Sequence, residues 1–301
     1  MSKTITRSGE QFAHCNGIDL CYETFGSPED PPLLLIMGLS QQMLLWEDDF
    51  CELLANRGHW VIRFDNRDAG RSTVLHDAPV PKPLQMLSGK SAPYALADLA
   101  DDSVALLDCL EIKDAHIVGM SMGGMVAQLV AINHPEKVRS LVSIMSTTGN
   151  RWVGQPTPRQ MLALFRKRPR DRAEWIADFI KTWEQIGSRV YPPDPEVSAK
   201  LGELAWERGV HPAGPARQLA AITSALDRTK QLRQLRVPTT VIHGTKDPLV
   251  RPSGGKATAA AIPGARLEMV PEMGHHLPRQ LWTRILDLIV ARTQATQGAP
   301  A

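Results

Sequence analysis

Apolar positions along this chain follow two alternating rhythms. Short continuous apolar runs, the mark of strands buried on both faces, alternate with stretches whose apolar residues return every three or four positions, as in helices packed on one side. Residues 12–16 and 18–24 flank Asn16-Gly17, which favours the positive backbone angles of a tight hairpin. Residues 33–37, 60–64, 115–118, 138–145, 237–243 and 266–270 read as further strands. Residues 44–57, 95–110, 122–134 and 255–262, and the chain from Leu277 onward, read as helices. Pro135 closes the helix at 122–134 because it supplies no N–H and clashes with the preceding turn. Strands alternating with helices predict an α/β fold with a mostly parallel, doubly wound sheet.

The rhythm breaks at 148–217, which is richer in proline, charge and tryptophan and contains no clear strand. The simplest organisation is a core domain of residues 1–147 and 218–301 interrupted by an inserted helical cap at 148–217. A polar tail is expected from Gln294 to Ala301, and there are no internal repeats.

Gly119-Met120-Ser121-Met122-Gly123 falls between a buried strand and a buried helix. A serine hydroxyl is a poor nucleophile until a base takes its proton, so its Oγ must be presented where a base can reach it. A sharp strand-to-helix turn does this, and small residues two before and two after the serine let neighbouring backbone pack against the turn. The pentapeptide alone is a weak signal; its position between strand and helix gives it weight. In open parallel sheets functional groups gather at the carboxyl ends of strands. Asp247 follows the strand at 237–243, and His275 and His276 follow the strand at 266–270. Ser121, Asp247 and a histidine thus each follow a strand, and they are the residue types of a nucleophile, an orienting acid and a base.

Composition narrows the alternatives. The 301 residues carry a net charge of +2 with no basic stripe, which predicts no nucleic-acid partner. The longest apolar run, 33–39, is too short to cross a bilayer, so no membrane partner is expected. The first residues lack a secretory apolar stretch. Cys15, Cys21, Cys51 and Cys109 show no C-x-x-C spacing, so they read as reduced thiols of a cytoplasmic protein. His14, His59, His76, His116, His134 and His211 lack ligand spacing, which predicts no metal, and nothing in the chain calls for a cofactor. His243 reads as a packed histidine. Asp65, Arg67, Asp68 and Ser72 read as an ion-paired turn, and the basic run at 166–172 as a solvated cap face.

The run Arg63-Phe-Asp-Asn-Arg-Asp-Ala-Gly-Arg-Ser72, the Gly-Met-Ser-Met-Gly-Gly turn and the order Ser121, Asp247, His275 together resemble the α/β-hydrolase fold. Within it they are most similar to bacterial methylesterases acting on anthracycline-type polyketides and to the cofactor-free peroxidase-like branch. The resemblance covers roughly 12–147 and 218–292. It implies that the base is the histidine directly after the glycine, His275 and not His276. It also implies an oxyanion hole built from the Met122 N–H and an amide of the loop after the strand at 33–37. That loop often reads His-Gly-x in the family and reads Met37-Gly38-Leu39 in this chain, which points to the Leu39 N–H.

The implied activity is hydrolysis of a small-molecule carboxylic ester through an acyl-enzyme, by a monomer or homodimer. Perhydrolase, cofactor-free haloperoxidase or lactonase chemistry would use the same residues, and a non-enzymatic ligand receptor is disfavoured by an intact Ser-Asp-His set. Met37, Trp46, Met120 and Met122 are expected near the site. The cap contributes Trp152, Trp175, Phe179, Trp183, Tyr191 and Trp206, either as its own core or as an apolar pocket wall. Gly38, Met120 and Trp152 are the expected substrate contacts.

Overall fold

The computed structural model describes residues 5–82, 92–164, 169 and 171–297. Eight strands form one sheet in the order β1-β2-β4-β3-β5-β6-β7-β8. They are β1 (Gln11–Cys15), β2 (Ile18–Phe25), β3 (Pro32–Ile36), β4 (Trp60–Phe64), β5 (Ala115–Met120), β6 (Val138–Ile144), β7 (Thr239–Gly244) and β8 (Arg266–Val270). β1 and β2 form the antiparallel hairpin turned by Asn16-Gly17, β2 also runs antiparallel to β4, and every other pairing is parallel. The predicted α/β architecture is the one observed.

The central parallel strands are largely apolar because both faces are covered, β3 without a break. Leu34, Ile36 and Ile117 point into one core layer, beside α2 (Leu96–Cys109) and α3 (Met122–Asn133). Leu33, Leu35, Val118 and Met120 point into the other, beside α1 (Asp48–Ala55) and α10 (Trp282–Gln297). Two expected elements move. The helix expected at 44–57 splits into a 3-10 turn at Met43–Leu45 and α1, because the Met43 N–H is taken by Asp65 and the Trp46 carbonyl by Arg63. The tail expected from Gln294 begins later, since α10 runs to Gln297; 298–301 lie outside the described residues.

Between β6 and β7 stand α4 (Pro158–Leu164), α5 (Arg172–Ile186), α6 (Pro195–Arg208), α7 (Gly214–Ser224) and the short α8 (Thr229–Leu232), with α9 (Ser253–Ala261) between β7 and β8. Asp171 and Asp194 cap α5 and α6 by accepting free N–H groups of their first turns. Phe179 of α5 packs on Gly202 of α6, and the Trp175 indole donates to the Gly202 carbonyl. The predicted boundary between 217 and 218 falls inside α7, which runs through it without a break. Of the basic run 166–172, residues 166–168 and 170 lie outside the described residues.

The turn after β4 is ion-paired, as its residue types suggest, but two of its partners come from the cap. Arg208 on α6 reaches Asp65 at 2.8 Å and also Glu10 and Gln42. Arg217 on α7 forms a two-pronged pair with Asp68 at 2.6 and 2.8 Å, and the Tyr94 hydroxyl donates to the same carboxylate. Arg67 pairs in the same way with Asp102 of α2. All six charged groups are buried. Breaking one such pair strands a charge in the interior, at a cost of about 3–5 kcal/mol.

Two predictions follow from this packing. Arg217→Met leaves Asp68 without its cation, and denaturant unfolding should show a loss of about 3–5 kcal/mol; an unchanged midpoint would show that the pair does not hold the cap to the sheet. His116 sits between β5 and β6 with Nδ1 on Ser140, and burial pulls its pKa down to about 4 from an ordinary 6.5. The unfolded chain therefore binds a proton that the folded one refuses, so stability should fall as pH drops from about 6.5 toward 4. His116→Gln should make that slope shallower in pH-dependent melting, the remainder coming from other buried histidines such as His276; an equal slope in both proteins refutes the assignment.

Candidate active site

β3 pairs in parallel with β4 on one side and β5 on the other, so the connections leaving β3 and β5 diverge at their carboxyl ends. Such a switch point opens a crevice above the sheet. Gly38-Leu39 leaves β3 at this place and Ser121 leaves β5, with Ile36 paired to Gly119 just beneath. Ser121 has φ 58° and ψ −121°, a conformation that L residues rarely adopt and that costs about 1–3 kcal/mol. Close packing enforces it. A Cβ on Gly119 would stand 2.1 Å from the Gly123 carbonyl oxygen, and one on Gly123 would stand 2.1 Å from the Ile36 carbonyl oxygen. The turn is tied down by Ser121 N–H donating to Ile144 and by the Ser146 hydroxyl donating to the Ser121 carbonyl.

Three side chains from three strand ends meet there. His275 Nε2 lies 3.0 Å from Ser121 Oγ, and His275 Nδ1 lies 2.6 Å from Asp247 Oδ2. An ionised carboxylate only accepts hydrogen bonds, so Nδ1 carries the proton and Nε2 is left to accept from the serine hydroxyl. Asp247 is held by the Leu249 and Val250 N–H groups on its Oδ1, at 2.9 and 2.8 Å. His243 stands behind it, donating to the Val250 carbonyl, with its pKa lowered by burial. His276 turns away from the serine and donates to the Tyr191 carbonyl; burial pushes its pKa down to about 4.

The Leu39 and Met122 N–H groups make no hydrogen bond among the described residues, and Met122 opens α3, where amides are free and the helix dipole favours negative charge. A Cβ on Gly38 would approach Ser121 Cβ to 3.1 Å and Oγ to 3.6 Å, so a glycine there keeps the space beside the hydroxyl open. Gly38, Leu39, Met120, Ser121 and His275 line a cavity of about 140 Å³ beneath the cap. Its far wall is α5, which presents Trp175, Phe179 and Trp183 one turn apart, with Asp178 and Thr182 between them and Gln185 just beyond.

Several expectations change. Trp152 is 76% exposed, lies outside the lining of this cavity and stacks under Arg151 instead. Aromatic content alone marks a residue as apt for burial without saying where. Met37, Trp46 and Met122 put their side chains into the core layers, and only Met120 of the expected methionine group faces the cavity. Gln160, Thr182 and Gln185 of the lining carried no signal in the sequence, because a polar residue on a cap helix looks the same whether it faces solvent or a pocket. The attachment of the base loop to the cap was equally silent: His275 N–H donates to the Ile186 carbonyl at 2.7 Å. Among the described residues no cluster of His, Cys, Asp or Glu is arranged to hold a metal, and no helix is long and apolar enough to cross a membrane.

The glycine packing is directly testable. Gly119→Ala should cost about 1–3 kcal/mol or more of stability. Gly202→Ala, whose Cβ would meet Phe179 at an ordinary 3.4 Å in a helix interior, should be neutral or stabilising. Equal melting temperatures for the two variants would contradict the close packing at the turn.

Comparison with known proteins places the chain among hydrolases of this fold. The chain is 29% identical to rhodomycin D methylesterases from Streptomyces sp. (strain C5) and Streptomyces peucetius, over 92% of this chain and 96% of each of theirs. It is 27% identical to 3-oxoadipate enol-lactonase 2 of Acinetobacter baylyi, over 84% of this chain and 85% of that protein. The crystal structure of a hydrolase from Pseudomonas aeruginosa PA01 superposes with a TM-score of 0.70 at 26% identity, covering 97% of this chain and 99% of that one. Residues 31–278 match the family described as the alpha/beta hydrolase fold, and the chain belongs to that family.

Proposed function

We propose that the protein is a serine hydrolase of small-molecule carboxylic esters. The observation that carries this reading is the unbroken hydrogen-bonded line from Ser121 Oγ through His275 to Asp247, opening into a cavity walled by aromatic rings. Ser121 Oγ attacks the ester carbonyl while His275 Nε2 takes its proton. Asp247 holds the imidazole in the required tautomer and stabilises the imidazolium. The carbonyl oxygen becomes an oxyanion, and the Leu39 and Met122 N–H groups receive it; one such donor is worth ~10²–10³ in turnover. As the carbonyl re-forms, the alkoxide leaves with the proton from Nε2. Water, deprotonated by the same nitrogen, then cleaves the acyl-enzyme and returns Ser121.

The relatives named as methylesterases support an ester substrate, and the aromatic face of α5 suits an apolar or aromatic group. Opening a lactone is the same reaction with the leaving alcohol tethered to the acyl group, and the enol-lactonase relative makes it the second reading. All four cysteines are free thiols, which fits work in a reducing compartment, the cytoplasm.

Purified protein should hydrolyse p-nitrophenyl acetate and be labelled by a fluorophosphonate at one residue. Ser121→Ala should abolish labelling and lower turnover by about 10⁴-fold or more while keeping its melting transition. Undiminished turnover in that variant rejects the reading.

A further inference from the structure

A second cavity, of about 160 Å³, lies against the first. Two side chains line both: Met120, directly before Ser121, and Trp183, on the inner face of α5. The second space is bounded by Leu45, Val197, Leu201 and Leu277 together with Pro192 and Pro193, so its walls are mainly apolar. Its charged side chains and its histidine are already engaged. Glu47 accepts from Arg279 at 2.5 Å, the Asp194 carboxylate caps α6 through the Glu196 and Val197 amides, and His276 donates to the Tyr191 carbonyl. The lining arginine is held by Glu47 and Asp49 and the Asp194 carboxylate by two backbone amides, so an uncharged group suits the space better than an ion.

The partition is thin in chemical terms. Methionine has an unbranched, polarisable side chain with three rotatable bonds and adapts its shape to what it packs against. Each cavity alone is about the size that accommodates a single benzene-like group, so the first takes little more than the reacting ester and one small substituent.

Resting on the ester-hydrolase reading of Ser121, we infer that the space behind Met120 and Trp183 is a second chamber of the same binding site. It receives an uncharged, apolar arm of the substrate, an alkyl chain or a ring, while the ester carbonyl sits at Ser121. The preferred substrate is therefore two-lobed, and Met120 with Trp183 sets how large the second lobe can be.

The test compares p-nitrophenyl acetate, which fits the first cavity, with p-nitrophenyl octanoate, which needs both. Val197→Trp, on the far wall of the second chamber, should leave acetate turnover within about twofold. It should lower kcat/KM for octanoate roughly tenfold or more, chiefly through KM, since a pocket that loses room for even one methylene discriminates about 10–200-fold. Leu201→Trp, one turn along α6, gives the same reading should Val197→Trp fail to fold. In a Ser121→Ala background, calorimetry with methyl octanoate should show binding weakened about tenfold by the same wall substitution. Unchanged octanoate kinetics and binding, or an equal loss for acetate and octanoate, would overturn the chamber. A wild-type protein that hydrolyses neither ester defeats the ester-hydrolase reading instead, and methyl octanoate binding then still decides whether the chamber exists.

Discussion

The backbone of Ser121 is the constraint on which the rest of the site depends. A serine held at φ 58° and ψ −121° is forced out of the favoured wells, and only the surrounding packing keeps it there. That packing is two backbone contacts, Gly119 against Gly123 and Gly123 against Ile36, each too close to admit a methyl group. The strain has a purpose: it lifts Oγ off the end of β5 while leaving the next amide, Met122, at the open end of α3. The same approach of α3 to β3 brings the Gly38-Leu39 loop beside the hydroxyl. The proposed nucleophile and the proposed oxyanion donors are thus products of one local geometry.

The sheet supplies the rest by topology. β7 and β8 are consecutive in the sheet as well as in the chain, so Asp247 and His275 emerge side by side at the same edge as Ser121. The cap is fastened to the sheet at separate points. Arg208 and Arg217 bind the turn after β4, and the end of α5 binds the base loop through Ile186. Buried ion pairs are poor sources of net stability, because desolvation offsets most of their attraction. Their geometric demand is strict, however, since a misplaced arginine strands Asp65 or Asp68 in the interior. They act as registration points for the cavity roof.

What was legible in the sequence was whatever has a local signature. β4 and β8 were legible to the residue because each is rich in apolar residues and bounded by polar or turn-forming neighbours, Gly58-His59 and Asp65 for one, Pro263-Gly264 and Pro271 for the other. Ser121, Asp247 and His275 were legible because each follows a strand whose own pattern is strong. Arg208 and Arg217 were not: their carboxylate partners lie 143 and 149 residues away, and nothing local marks an arginine as buried. Trp152 was misplaced for the converse reason, as its ring chemistry favours burial and its position after β6 does not provide it. The break near Trp46 was hidden as well, because the apolar spacing continues through it and only the distant Asp65 and Arg63 interrupt the helix.

The pairing of His275 with His276 shows how the cap can matter to the reaction without supplying a reacting atom. Adjacent residues of one loop face opposite demands: the proposed base must exchange protons with a serine, and the other histidine is buried with its pKa lowered. Backbone does the sorting. The Ile186 carbonyl fixes the His275 amide, the Tyr191 carbonyl fixes the His276 ring, and both acceptors lie in the connection that follows α5 or at its last turn. The loop is therefore gripped by the same helix whose Trp175, Phe179 and Trp183 wall the cavity. In the proposed reaction, a substrate that shifted α5 to make room for itself would also shift the imidazole, which would couple substrate size to proton transfer. That coupling favours guests that fill the space under α5 without displacing it, and an adaptable methionine in the partition is the part of the wall able to yield instead.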